Sequence, residues 1–284
     1  MSILEVRGLC KSYPGFSLSD VSFSLEEGKI TGFIGRNGAG KSTTLGCILN
    51  FIHSDAGEIT VFDKSFADDE AGIKQKIGYV SGAVNFYPKK KLKNIAAVTR
   101  QFYSGWDKGA YEKYCKLFSL DENKTPSELS AGMKVKFSLA LALSHNAKLL
   151  ILDEPTSGLD PVSRDELLEI FLTLRDEGRT ILFSTHITSD LDFCADNILY
   201  IQKGKIAAEN PITDFVGKYR LIEYEKDSLP DELQKKLIGE IRTKNAMRAL
   251  IKAEDRELFG LSAEKADLES CMVHLEKESD ANDR

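Results

Sequence analysis

The sequence predicts an α/β fold whose core is a mainly parallel sheet. Two observations indicate this fold. Short apolar strands alternate with amphipathic helical stretches along the first two thirds of the chain. A glycine-rich loop also joins one of these strands directly to a helix. The elements that support the prediction are described below in chain order.

The first part of the chain combines antiparallel strands with the start of the core sheet. ILEVRGLCKSY and FSLSDVSFSLEEGKI alternate apolar and polar residues, which is typical of strands with one solvent-facing side. A short buried strand follows at 30–35, and GKSTTLGCILNFI continues it as a helix with an apolar face. GEITVFD and KIGYV are predicted strands. The pattern from 88 to 145 is helical, so we expect a helical subdomain inserted between strands.

The second part returns to strands and then changes character. KLLILDEP is a predicted buried strand, VSRDELLEIFLTLRDEG an amphipathic helix, TILFSTH a strand and NILYIQKGKIAAE a hairpin. After Pro211 the chain is more charged and carries no chemical motif. There LIEYE and GEIRTK predict strands, and LPDELQKKLI and KADLESCMVHLEK predict helices. We therefore expect a main domain at 1–211 and a small α/β accessory region at 212–284.

Composition limits the classes of function. A net charge of −6 and a pI near 5.4 argue against a general nucleic-acid binder, so no nucleic-acid partner is expected. The five cysteines are scattered and form no CxxC pair, which predicts neither a zinc site nor a disulfide framework. The first residues show no signal-peptide pattern, and no apolar run is long enough to span a bilayer. A cytoplasmic location is expected.

The segment GRNGAGKST at 35–43 predicts a phosphate-binding loop. It fits G-x-x-x-x-G-K-[ST] and lies between a predicted strand and a predicted helix, as that motif requires. Glycines allow a tight turn whose amides, with the helix N-terminus, bind phosphate oxygens. Lys41 places a cation against the β- and γ-phosphates, and the Ser42 hydroxyl can bind Mg²⁺. The predicted nucleotide-binding residues are Gly35, Asn37, Gly38, Ala39, Gly40, Lys41, Ser42 and Thr43.

Polar side chains follow two predicted strands that should be neighbours. LLILDE ends in Asp153, placed to bind Mg²⁺, and Glu154, placed to polarise a water that attacks the γ-phosphate. Two acids can also simply end a strand and cap the next turn, and the phosphate loop favours the catalytic interpretation. PTSGLD then places Asp160 in a turn, and TILFSTH ends in His186. A lone histidine is often structural, but this one should lie near a γ-phosphate.

The combination of these motifs resembles the ATP-binding subunit of ABC transporters. LSAGM, which by itself is compatible with an ordinary helix N-cap at Ser130, stands about two dozen residues before LDEPTSGLD. That pairing, after the phosphate loop, is highly specific, and the resemblance covers about 1–210. It implies the ABC-cassette fold of P-loop NTPases: a mainly parallel core sheet, an antiparallel β subdomain and the helical subdomain. LSAGM and the ending ADLESCMVHLEK are most similar to bacterial ABC-2-type exporter ATPases.

The resemblance also implies partners and roles. Tyr13 is expected to stack on adenine, and the alternative is an ordinary strand aromatic. Ser130, Ala131 and Gly132 are expected to contact the ATP held by the other subunit of a symmetric homodimer or heterodimer, with Asp160 coupling the two sites. ATP and Mg²⁺ are the expected ligands. Separate integral membrane permease subunits are the expected partners, holding the chain at the inner face of the cell membrane.

Two features depart from the resembled pattern or remain open. The position expected to hold a Gln or Glu after KIGYV is Gly82, so either water or a neighbour such as Ser81 or Asn85 substitutes, or coupling to the membrane partner is unusual here. The basic stretch YPKKKLKNI at 87–95 fits either a membrane-facing contact or a solvated helix start. The alternative function is a soluble, non-transport ABC ATPase acting on ribosomes or nucleic acid. A small-molecule P-loop kinase leaves LSAGM and PTSGLD unexplained.

Overall fold

The fold is α/β, and the computed structural model describes residues 2–81, 87–226 and 228–282. The strands are β1 Ser2–Tyr13, β2 Phe16–Glu26, β3 Ile30–Ile34, β4 Ala56–Val61, β5 Lys64–Ser65, β6 Ile77–Ser81, β7 Leu149–Asp153, β8 Thr180–Thr185, β9 Asn197–Gln202, β10 Lys205–Pro211, β11 Tyr219–Tyr224, β12 Ile238–Arg242, β13 Met247–Lys252 and β14 Ala263–Lys265. The helices are α1 Lys41–Ile48, α2 Phe66–Gln75, α3 Leu92–Thr99, α4 Lys108–Leu117, α5 Ala131–Ser144, α6 Pro161–Asp176, α7 Thr188–Cys194, α8 Ile212–Gly217, α9 Asp231–Gln234, α10 Arg256–Phe259 and α11 Leu268–Asn282.

Residue contacts divide the chain into two units. The first is Met1–His186 with Phe193–Glu209, and the second is Ile187–Asp192 with Asn210–Arg284. The short segment that directly follows His186 therefore groups with the C-terminal unit, which the sequence pattern did not indicate. Among the described residues, no helix has both the length and the apolar character needed to cross a bilayer.

The first unit contains an antiparallel and a mainly parallel sheet. The antiparallel sheet has the strand order β2-β1-β4-β5. The second sheet has the strand order β10-β9-β3-β8-β7-β6. Its five strands β9, β3, β8, β7 and β6 run parallel to one another. Both faces of its central strands are largely buried and mostly apolar, as in sheets covered on two sides. The predicted α/β class with a mainly parallel core is confirmed.

The helical stretch lies between β6 and β7, two strands that pair directly. Its helices α4 and α5 pack against each other, and α5 also packs on β6. The helical periodicity of the predicted 88–145 segment therefore forms α3, α4 and α5, joined by short 3₁₀ turns.

Strand register brings the predicted site to one edge of the parallel sheet. Ile34 pairs with Thr185, Asp153 with Ser184, and Ser81 with Asp153. The carboxyl ends of β3, β6, β7 and β8 thus meet at one edge, where ligands of open α/β sheets bind.

The turn between β9 and β10 is hydrogen-bonded to the glycine-rich loop at this edge. The amide of Gly204 donates to the carbonyl of Ala39 at 3.0 Å, and the amide of Ser19 donates to the carbonyl of Gly204 at 2.9 Å. These two hydrogen bonds tie the glycine-rich loop to β2 and to the β9–β10 turn.

The C-terminal unit has its own antiparallel sheet, ordered β12-β13-β11-β14, with α11 packed on β12. Its core cluster contains Ile222, Tyr224, Leu229, Leu237, Ala249, Ile251 and Phe259. The predicted helix LPDELQKKLI is only the short turn of α9, because the chain must deliver Leu229 and Leu237 to this core and begin β12 at Ile238.

Candidate functional site

The glycine-rich loop runs from β3 to α1 with little space around it. A Cβ on Gly35 would lie 2.4 Å from the carbonyl oxygen of Ile201, so only glycine lets the loop pass β9. Gly40 has a φ of 118°, which side chains rarely adopt. Its carbonyl accepts the Thr44 amide at 2.9 Å, so α1 begins immediately. The loop and the helix N-terminus are therefore held where their amides can bind an anion.

Lys41 is the cation of this loop. Its side chain is 6% exposed, and its Nζ donates to the carbonyl of Gly35 at 2.7 Å and reaches that of Arg36 at 3.5 Å. The same Nζ lies 3.5 Å from Oε1 of Glu154. A buried ammonium needs such acceptors. The charge is thus already placed inside the loop, where phosphate oxygens can replace carbonyl partners.

Asp153 ends β7 between two serine hydroxyls. Its Oδ1 accepts from Ser42 Oγ at 3.3 Å and from Ser184 Oγ at 2.6 Å. Ser42 and Asp153, both predicted metal ligands, are therefore brought together. Ser184, in β8, was missed by the sequence prediction. The clue in the sequence was its position near the end of TILFSTH, the predicted strand that pairs with the strand ending in Asp153.

Glu154 and His186 face each other directly. His186 Nδ1 lies 2.8 Å from Glu154 Oε2, so the Glu154 carboxylate bridges the imidazole and Lys41. Glu154 has a φ of 51°, a left-handed conformation that is uncommon outside glycine. Its amide donates to the Ser184 hydroxyl at 2.9 Å and to the Ser184 carbonyl at 3.2 Å. Unusual backbone conformations of this kind are concentrated at functional sites.

These side chains line a cleft of about 650 Å³, a size suited to a cofactor or nucleotide. The predicted residues that line it are Asn37, Gly38, Gly40, Lys41, Ser42, Thr43, Glu154 and His186. Gly15, Phe16 and Ser157 also line it and were not predicted. Phe16, the partner of Tyr13 in the β1–β2 pairing, is thus an aromatic side chain that lines this cleft, whereas Tyr13 is 43% exposed at the end of β1. Stacking of Tyr13 on adenine stays a prediction.

The signature residues lie on a different surface of the first unit. Ser130 is the exposed N-cap of α5, and its hydroxyl accepts from the amide of Met133 at 3.2 Å. None of Ser130, Ala131 and Gly132 is among the described residues that line the cleft. A Cβ on Gly132 would lie 3.5 Å from the Cβ of Ser163, so the start of α5 contacts the start of α6.

Asp160 caps α6 beside this signature segment. Its carboxylate accepts from the Ser163 amide at 3.0 Å. Hydrogen bonds from the Ser163 hydroxyl and amide lower the pKa of the Asp160 carboxyl below its ordinary value. The helix cap predicted at Ser130 is therefore present, and Asp160, predicted to lie in a turn, caps the neighbouring helix.

The end of β6 and the residues before α3 carry the remaining predicted features. Gly82 and Asn85 lie outside the described residues. Ser81, the other suggested substitute, ends β6 beside Asp153 and makes contacts there. The lysines at 89, 90 and 91 are exposed just before α3 begins at Leu92.

The site fits a nucleoside triphosphate with Mg²⁺. The loop is too tight for side chains at Gly35, and it holds a buried cation with anion-binding amides. The adjacent hydroxyl and carboxylate oxygens of Ser42 and Asp153 are the hard ligands that Mg²⁺ takes, usually alongside phosphate oxygens. Strand, loop, helix and neighbouring acids together define a P-loop NTPase.

Comparison with known proteins identifies the family. The ABC transporter family model matches residues 18–157. The bacitracin transport ATP-binding protein BcrA of Bacillus licheniformis is 32% identical over 214 residues, covering 74% of this chain and 70% of that protein. The Nod factor export ATP-binding protein I of Burkholderia orbicola (strain AU 1054) is 34% identical over 212 residues, covering 72% and 70%. A solved ATP-binding subunit of an ABC transporter is similar with a TM-score of 0.69 at 28% identity, covering 75% and 92%.

The chain therefore belongs to the ABC transporter family, as an ATP-binding and ATP-hydrolysing subunit. The predicted family, cassette fold and ATPase activity are confirmed. The alternative of a non-transport ATPase acting on ribosomes or nucleic acid finds no support in these relatives.

Proposed function

We propose that this chain drives an exporter as one half of an ATP-sandwich pair. Two cassettes bind two ATP molecules between them, and each ATP contacts the phosphate loop of one subunit and the signature segment of the other. The second cassette is another copy of this chain or a related ATPase subunit. Closure and reopening of the pair act on separate integral membrane permease subunits, which hold the chain at the cytoplasmic face of the membrane.

The observation that carries the proposal is the position of Ser130. It is exposed at the N-terminus of α5, a helix of 14 residues, while the cleft of its own unit already has Lys41 and the loop amides. The hydroxyl and the positive end of that helix suit a phosphate that another chain presents. Asp160 and Ser163 lie beside it, which supports one contact surface that contains both the signature segment and the PTSGLD turn.

Within each cleft the residues divide the chemistry. Lys41 and the loop amides bind the β- and γ-phosphates, and Ser42 and Asp153 are suited to hold Mg²⁺. When bound, Mg²⁺ neutralises charge on the phosphate oxygens. Glu154 accepts a proton from the attacking water, and its carboxylate is held toward the cleft by Lys41 and His186. The imidazole of His186, next to that carboxylate, orients the reacting groups.

Export is supported by the relatives rather than by the cleft. One relative is named for Nod factor export and another for bacitracin transport, and both match over about 70% of their length. The exposed lysines at 89–91 offer positive charge that suits permease segments or anionic headgroups near the membrane.

The test is Glu154→Gln, with Glu169→Gln as its control on the exposed side of α6. Removing the general base should lower kcat by about 100-fold or more while ATP affinity changes little. With the base gone, ATP persists between the subunits, so light scattering should show a dimer that forms only with ATP. Glu169→Gln should behave as the wild type. A Glu154→Gln variant that hydrolyses ATP at the wild-type rate contradicts the assignment of the base.

A further inference from the structure

One buried hydroxyl connects both catalytic acids. Ser184 lies in β8, is fully buried, and is the register partner of Asp153. Its Oγ donates to Asp153 Oδ1 at 2.6 Å and accepts from the amide of Glu154 at 2.9 Å. A serine hydroxyl has a single proton. Because an ionised carboxylate can only accept, that proton is directed at Asp153, and the oxygen is left to accept from Glu154.

We propose that Ser184 is a positioning residue that presents the Asp153 carboxylate to Mg²⁺. The inference rests on the proposed function, in which Asp153 binds the metal. The bond from Ser184, at 2.6 Å, has the length expected for a hydroxyl bonded to a charged carboxylate, and it comes from a buried strand. The longer bond from Ser42 Oγ, at 3.3 Å, reaches the same Oδ1 atom. Ser184 thus fixes the carboxylate from the sheet, and Ser42 is the weaker partner that can turn toward the metal.

The same hydroxyl also supports the backbone of Glu154. This residue has a φ of 51°, a conformation that persists only where its surroundings determine it. The Glu154 amide is bound by the hydroxyl and the carbonyl of Ser184 at 2.9 and 3.2 Å. Loss of the hydroxyl therefore loosens the metal ligand and the base together, without removing any group that touches nucleotide.

If Ser184 only stabilised the strand, its loss would not change the response to Mg²⁺. Thr180 offers a control that distinguishes this structural role from a positioning role. Thr180 lies in the same strand, is fully buried, and its Oγ1 accepts the amide of Gly28 at 2.9 Å. Thr180→Val and Ser184→Ala each delete one buried hydroxyl of β8 that accepts a backbone amide. Both should lower stability, whereas only Ser184→Ala should change the response to Mg²⁺.

The experiment measures binding as well as turnover. Calorimetry gives the affinity for a non-hydrolysable ATP analogue in EDTA and in Mg²⁺, and steady-state assays give the Mg²⁺ concentration for half-maximal ATPase. Partners of this kind typically change metal affinity by about 10-fold or more, so Ser184→Ala should raise that concentration by roughly 10-fold. Its affinity in EDTA should stay within about two-fold of the wild type, since no nucleotide contact is lost. Cysteine is a weaker donor of similar size, so the half-maximal Mg²⁺ concentration of Ser184→Cys should lie between those of the wild type and Ser184→Ala.

Two results would overturn the role of Ser184, and a third would overturn the proposed function. A wild-type Mg²⁺ response of Ser184→Ala overturns the role of Ser184. An equal shift in Thr180→Val also overturns it, because the effect then belongs to the strand as a whole. A wild-type protein without Mg²⁺-dependent ATPase overturns the proposed function itself. If Ser184→Ala folds poorly, the Mg²⁺ response of Ser184→Cys decides in the same way.

Discussion

The helix that begins at signature residue Ser130 ends at a buried histidine, and this makes the stability of the first unit depend on pH. His145 follows α5 and is 5% exposed. Its ring stacks on Tyr103 with centroids 3.7 Å apart, and its Nδ1–H donates to the carbonyl of Gln75 at 3.1 Å. Burial lowers the pKa of His145 from 6.5 to about 4. The folded protein therefore keeps this ring neutral at pH values where the unfolded chain protonates it.

The sign and size of the effect follow from this difference. Between pH 6.5 and 4 the unfolded chain binds more protons at this residue, so stability falls as the pH falls through that window. The full effect is about 3 kcal/mol below pH 4, of which about 2 kcal/mol is expressed at pH 5. Above pH 6.5 the contribution is constant. Acidification should therefore loosen the end of the signature helix.

His145→Phe removes the titrating group and keeps a ring to stack on Tyr103. At pH 8 it should cost about 1 kcal/mol, because the hydrogen bond to Gln75 is lost. From pH 8 to pH 5 its free energy of unfolding should fall by about 2 kcal/mol less than that of the wild type. Urea unfolding followed by fluorescence of Trp106, the chain's single tryptophan, reports this unit directly.

Two results would refute the reasoning. Equal pH dependence of the wild type and His145→Phe between pH 8 and pH 5 shows that the ring does not resist protonation. An NMR titration gives the second check, since the imidazole resonance that disappears in His145→Phe should titrate near pH 4. A value at or above the ordinary 6.5 contradicts the burial argument.

Two further predictions concern the signature and the β9–β10 turn. Ser130→Arg should abolish the ATP-dependent dimer in light scattering and leave ATP affinity of the single subunit within about two-fold, and loss of that affinity contradicts a role in trans. Gly204→Ala places a Cβ 1.9 Å from the carbonyl oxygen of Ser17 at a φ of 76°, and should destabilise the protein by about 3 kcal/mol in urea unfolding. Its control is Gly28→Ala, with a φ of 73° but open space around it, expected to cost about 1 kcal/mol; equal losses contradict the steric explanation.

Much of the fold and site follows from local pattern. The phosphate loop follows its strand directly in the sequence, and Asp153 and Glu154 are adjacent at the end of β7, so the position of each motif could be predicted from local spacing. The interruption of the parallel sheet by helices between β6 and β7 was also visible, because the hydrophobic period changes from strand to helix.

Other parts depend on pairings between distant residues. The contact of Ser184 with Asp153 requires the register of β7 against β8, and one residue of slip would remove it. Phe16 lines the cleft because the β1–β2 hairpin places it there, whereas the sequence drew attention to Tyr13. The grouping of Ile187–Asp192 with the C-terminal unit is likewise a tertiary feature. None of these has a local signal strong enough to predict its partner.

The hydrogen bonds of Gly204 can form only late in the synthesis of the first unit. Its amide binds the carbonyl of Ala39, and its carbonyl binds the amide of Ser19, yet it leaves the ribosome about 165 residues after Ala39. At typical elongation rates this delay is roughly 10 to 30 s. Throughout it, a nascent chain contains Lys41 but lacks the turn that completes the support of the loop. The hydrogen-bonded support of the loop is therefore complete only near the end of synthesis of the first unit, after Asp153 and Glu154 have been made.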